Sequence, residues 1–190
     1  MTGDLVSDDA QVHEKARGVL DFWFGLTAEQ HFAKDDALDE EIARRFASLR
    51  GEVVAARAAG WRDHPNTLLA AIILIDQFSR NLYRGEAAAF AHDDMAVSLT
   101  LHAIDLGWED RYPAARRVFL YMPLMHAEDM PLQRLSVEKF AALGIEDNLK
   151  FARDHAAVIE RFGRYPSRNA ALGRGSTPEE RDWIAEGGGW

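Results

Sequence analysis

Cysteine is absent from this sequence. That excludes disulfides, thiol nucleophiles and cysteine-ligated metals. Long apolar runs are absent too. The longest is Leu68–Ile75, far short of the ~20 residues a membrane span needs. Positive charge is in short supply: 22 Lys and Arg stand against 31 Asp and Glu, a net charge of −9. A broad phosphate-binding surface needs clustered cations, so nucleic acid is not an expected partner. The opening, Met1–Ala10, is acidic and polar and does not read as a signal peptide. Nor is there a nucleophile-elbow motif around Ser79 or Ser167, a His-Glu-x-x-His pattern, or a lysine after Gly173-Arg174-Gly175 to complete a phosphate loop. No metal and no cofactor is therefore expected. The chain reads as a cytoplasmic protein with neither nucleic-acid nor membrane partners.

Strand signals are missing, and helical ones fill the chain. Val12, Ala16, Val19, Leu20, Trp23 and Phe24 share one helix face. Over Asp35–Ala59 the stripe is Leu38, Ile42, Phe46, Leu49, Val53 and Ala56, with Gly60 as the stop. Asn66 or Thr67 is placed to cap a central helix through Leu68–Ile75. Further helices are expected over Ala87–Leu106, from Pro113 to about Met122 where Pro123 breaks it, from Pro131 to about Leu143, and over Ile145–Phe162. Thr177-Pro178-Glu179-Glu180 is a capping box that opens a short last helix. The expectation is all-α: one helical domain over 1–190 with about eight helices in antiparallel hairpins, its ends at 1–8 and 187–190 flexible. No strict repeat period supports a regular solenoid.

Three polar clusters interrupt this pattern. In Asp76-Gln77-Phe78-Ser79-Arg80-Asn81-Leu82-Tyr83-Arg84-Gly85, helical spacing puts Asp76, Arg80 and Arg84 on one face, as an arginine clamp for an anion or as an internal salt bridge. The second is a loop by its glycines and proline, Phe162 to Gly175. It holds Arg164, Arg168, Asn169 and Arg174, and its Ser167-Arg168-Asn169 echoes Ser79-Arg80-Asn81. The third is Pro123-Leu124-Met125-His126-Ala127-Glu128-Asp129. His126 is the natural acid–base group, because its reference pKa lies near neutrality. Glu128 or Asp129 is placed to orient it, or simply to favour the start of the helix opened by Pro131.

These three stretches, with Asp21-Phe22-Trp23-Phe24-Gly25 near one end and Ser176-Thr177-Pro178-Glu179-Glu180 near the other, resemble a bacterial family known as domain of unknown function 924. The resemblance implies a tetratricopeptide-like superhelical array and no established activity. Ser79 departs from the family pattern where proline is usual, Ala127 where serine is usual and Ser167 where histidine is usual. No mechanism here can therefore rest on a histidine next to Arg168.

The expected function is a pocket for a small anionic metabolite, a phosphate or carboxylate, lined by Arg80, Asn81, Arg84, Arg164, Arg168, Asn169 and Arg174. His126 and Glu128 would be catalytic, with Asp76 and Asp129 in support. The alternative is a scaffold whose arginines grip an acidic peptide. The expectation rests on the two arginine segments meeting beside His126.

Overall fold

A computed structural model describes the backbone of residues 2–189 and the side chains of residues 9–189. Met1 and Trp190 lie outside the described residues, and with them the extreme ends of the segments expected to be flexible. All regular structure among the described residues is helical. The main helices are α1 (Thr2–Phe24), α2 (Ala28–Phe32), α3 (Asp36–Ala55), α4 (Pro65–Ile72), α5 (Phe78–Leu82), α6 (Asp93–Asp105), α7 (Ala114–His126), α8 (Met130–Leu143), α9 (Glu146–Phe162) and α10 (Pro178–Ala185). A π-helical segment, Ile73–Gln77, joins α4 to α5. None of these helices is long and apolar enough to cross a membrane.

Local chemistry explains most of the boundaries. Asp35 caps α3 by accepting from the amides of Ala37 and Leu38. Thr27 with Gln30, and Thr177 with Glu180, form reciprocal capping boxes on α2 and α10. α4 starts earlier than expected. Pro65 fills its first turn and His64 caps it, while Thr67 is buried and donates to the Trp61 and His64 carbonyls. α3 ends at Ala55 rather than Ala59, because the chain turns through positive φ at Arg57 and Ala58 and tucks Ala58 into the core.

Two expected boundaries need correction. The segment expected as one helix over Ala87–Leu106 is a short 3-10 turn, Ala87–Ala89, followed by α6. Pro123 does not break its helix; α7 runs through it to His126. A proline inside a helix loses one hydrogen bond. Here it sits among fully packed neighbours, Met122 and Leu124 both buried.

Phe78 is the hub of the core. It meets Phe46 at 5.0 Å and Trp23 at 5.5 Å between ring centres, and Trp23 reaches Phe119 at 5.4 Å. The run from Leu68 to Ile75 is essentially inaccessible, as expected of a central helix apolar all round. α1 packs on α4, α3 on α5, and α6 to α9 pack each on the next. Short connections at 127–129 and 144–145 make α7, α8 and α9 successive antiparallel hairpins. A smaller cluster of Val158, Ile159, Tyr165, Phe162 and Trp183 seats the 163–177 loop between α9 and α10.

Candidate functional site

The site begins where the central helix changes character. In the π-helical segment the backbone bonds from i to i+5, with the Phe78 amide reaching the Ile73 carbonyl. Such bulges concentrate at functional sites. This one carries Asp76 into the interior, where its exposure is 0%. A buried carboxylate needs several donors. Asp76 has two, Gln77 Nε2 and His126 Nδ1 at 2.8 Å, and an ion pair with Arg80, whose Nη1 lies 3.0 Å away. Burial alone would raise its pKa, but Arg80, His126 and Gln77 outweigh burial and hold it well below the ordinary value.

His126 stands on the last turn of α7, and its side chain is 14% exposed. An ionised Asp76 accepting at Nδ1 fixes the tautomer: the proton is on Nδ1 and the lone pair on Nε2. Nε2 makes no hydrogen bond to the described residues and is not among the enclosed polar atoms. Burial first, then the Arg80 charge, lower the His126 pKa, with Asp76 pulling the other way. The imidazole is thus neutral at pH 7, with its lone pair on Nε2.

Arg80 and Arg168 flank this dyad, and here the two arginine segments do meet. Arg80 grips Asp93 with both terminal nitrogens, at 3.0 and 2.9 Å. Arg168 reaches the same carboxylate at 3.2 Å and the His126 carbonyl at 2.9 Å. Its guanidinium lies between the Phe90 and Tyr165 rings, 4.6 and 4.5 Å from their centres. Tyr165 donates to the Met125 carbonyl at 2.6 Å and accepts from Gln133 at 2.7 Å, and burial pushes its pKa up. Behind the dyad, His155 lies 6.3 Å from His126 ring to ring. Burial, with the His126 and Arg168 charges, pushes its pKa down to about 3.

The other expected site residues are elsewhere. α5 ends at Leu82, so Arg84 leaves the face of Asp76 and Arg80. With Asn81 it binds Asp39 of α3, Arg84 through two bonds of 2.9 Å and Asn81 at 2.7 Å. Arg164 forks onto Glu180 at 2.7 and 2.8 Å, and Asn169 joins the same carboxylate at 3.2 Å. Arg174 forks onto Glu128 at 2.6 and 2.9 Å. Glu128 also accepts the Tyr165 amide, so it clasps the loop and does not orient His126; Asp76 does. Asp129 caps α8 by accepting from the Leu132 amide. Of the expected anion-binding residues only Arg80 and Arg168 come together beside His126, both paired with Asp93, and the other guanidiniums are paired with carboxylates elsewhere. No group of three histidine or acidic side chains placed for a metal occurs among the described residues.

Asp93 and Arg50 are not among the residues expected to line the anion pocket, although both carry a signal. Asp93 opens α6 right after the 3-10 turn. Arg50 falls in the stripe Ile42–Phe46–Val53, an arginine at a core-facing position of α3.

Fold and site together define an all-helical protein with a buried aspartate–histidine dyad. The chain belongs to the family of bacterial proteins of unknown function designated DUF924, whose model matches residues 19–188. It is similar to the solved structure of a protein of unknown function from Agrobacterium tumefaciens. That structure is 35% identical, with a TM-score of 0.87 over 92% of this chain and 98% of the other. No curated protein matches the chain.

Proposed function

We propose that this protein binds a small anionic metabolite, a phosphate or a carboxylate, beside His126 and acts on it by proton transfer at Nε2. One observation carries the reading: the buried Asp76–His126 hydrogen bond leaves the Nε2 lone pair without a hydrogen-bond partner among the described residues. Nothing in a purely structural lock requires that. The charge balance refines it. Arg80 and Arg168 face Asp76 and Asp93, so the cluster is neutral while the imidazole is neutral. An incoming anion is balanced once His126 takes up a proton. Protonated at Nε2, His126 is then a general acid toward the bound anion, beside the Arg80 and Arg168 guanidiniums.

The scaffold alternative, on a tetratricopeptide-like superhelix, asks an acidic peptide to break bidentate pairs that Arg84, Arg164 and Arg174 already make. That weighs against it. The test is the melting shift produced by phosphates and carboxylates at pH 6 and pH 8, with proton uptake measured in two buffers. The expected result is stabilisation with a component that is larger at pH 6, is lost in His126→Ala and is weakened in Arg168→Ala. Absence of a shift with every anion, or a shift indifferent to His126→Ala, refutes the proposal.

A further inference from the structure

Every guanidinium in the polar clusters has a carboxylate. Arg80, Arg84, Arg164, Arg168 and Arg174 all form ion pairs. Arg50 of α3 does not. It is 7% exposed, and no carboxylate among the described residues pairs with it. Its Nε donates to the Ser79 hydroxyl at 3.1 Å. Ser79 spends its own proton on the Ile75 carbonyl, so it acts toward Arg50 purely as an acceptor. The guanidinium lies 5.1 Å from the Tyr83 ring centre, and its Nη2 is enclosed with no hydrogen-bond partner.

A cation held this deep without a counter-charge is costly unless something supplies the charge. Burial lowers the Arg50 pKa, and against it stand only the Tyr83 side chain and the Ser79 hydroxyl, neither of them a carboxylate. The carboxylates that act on neighbouring His92 are committed or outward: Asp93 is shared by Arg80 and Arg168, and Asp94 is exposed. His92, half-buried just before α6, feels Arg50. Burial and then the Arg50 charge lower its pKa, against Asp94 and Asp93.

We infer that Arg50 is an oxyanion-binding residue, receiving a phosphate or carboxylate group on its guanidinium between Tyr83 and His92. The forked nitrogens suit a planar pair of oxygens. The Tyr83 side chain, just past the end of α5, lies against the guanidinium, and the incoming group displaces it. This site is separate from the dyad, since Arg50 touches neither Asp76 nor His126.

The experiment titrates inorganic phosphate and, in a second arm, acetate into the full chain. It follows the His92 ring and the Arg50 Nε–H by nuclear magnetic resonance and the melting temperature in parallel. A bound anion cancels the Arg50 charge, so the expected result is a saturable upward shift of the His92 titration. The response survives His126→Ala, which separates it from the dyad. Phosphate acting alone assigns a phosphoryl group, and acetate acting as well assigns carboxylates too. Arg50→Met is expected to melt at or above the wild type without anion and to lose the response. Arg50→Lys, which keeps the charge but loses the fork, weakens binding by about tenfold or more. No saturable shift with either anion, or a shift retained in Arg50→Met, overturns the inference. So does an Arg50→Met protein that fails to fold, or melts lower without anion, together with an unchanged response in Arg50→Lys.

Discussion

His155 offers a sharp physical test of the buried polar layer. It lies on α9 and is buried, its Nδ1 bonded to the Phe151 carbonyl at 2.8 Å and its ring edge-on to Tyr165 at 5.6 Å. Its pKa is pushed from the ordinary 6.5 to about 3. A lowered folded-state value means the unfolded chain binds the proton more readily. The stabilisation from keeping His155 neutral is therefore fully present above pH 6.5 and is lost as pH falls toward 3. At pH 5 the unfolded ring is almost wholly protonated and the folded ring almost wholly neutral. The gap of about 1.5 pH units below the unfolded value costs the fold about 2 kcal/mol, at 1.36 kcal/mol per unit. The perturbation is His155→Gln, which keeps a polar side chain and removes the titration. The assay is urea unfolding at pH 7.5 and pH 5 for both proteins, read as the change in midpoint at constant slope. Wild type is expected to lose about 2 kcal/mol more than the variant over that interval. Equal losses would mean that the ring is solvated, or charged, in the folded state, and the reasoning fails.

Other expectations follow from the ion pairs. Arg80→Ala strips Asp76 and Asp93 of their shared cation and is expected to destabilise the fold by roughly 3–5 kcal/mol in urea unfolding. Arg84→Ala touches a half-exposed pair and costs about 1 kcal/mol or less by the same measurement. Glu180→Ala removes the carboxylate that gathers Thr177, Arg164 and Asn169; faster amide exchange over residues 164–176 checks it. Lowering the pH also tests Asp76. Its depressed pKa contributes stability that is present above the ordinary carboxylate value and lost as acid approaches the folded one. Asp76→Asn is expected to flatten the acid limb below pH 4 in circular-dichroism melts.

The helices were legible because their cause is local. Stripes, caps and glycine stops sit within a few residues of one another, and Thr177–Glu180 forms the box its spacing announces. The site was legible only in its ingredients. Arg80 with Asp76 follows from i, i+4 spacing, and Asp129 as a cap follows from Pro131. Which carboxylate meets which guanidinium is a long-range matter. Asp39 is 45 residues from Arg84 and Glu128 is 46 from Arg174, and no periodicity connects them. The early end of α5 follows a π-helical segment, and an apolar run in which every side chain is buried anyway gives no sign of an extra residue in the turn. Pro123 misled for a related reason: dense tertiary packing tolerates a lost backbone bond that local propensity counts as a stop.

That surplus residue in Ile73–Gln77 sets the phase between two halves of one rod. Upstream, the rod is wrapped in hydrocarbon; downstream, it presents Arg80 toward α6 and Asn81 toward α3. Excising any one residue of the bulge would restore an ordinary helix and swing everything after it by about 100°. Ser79, Arg80 and Asn81 would then each face a neighbour chosen for another. A chain that needs both hydrocarbon upstream and polar contacts downstream on the same rod can keep them aligned only by preserving that insertion.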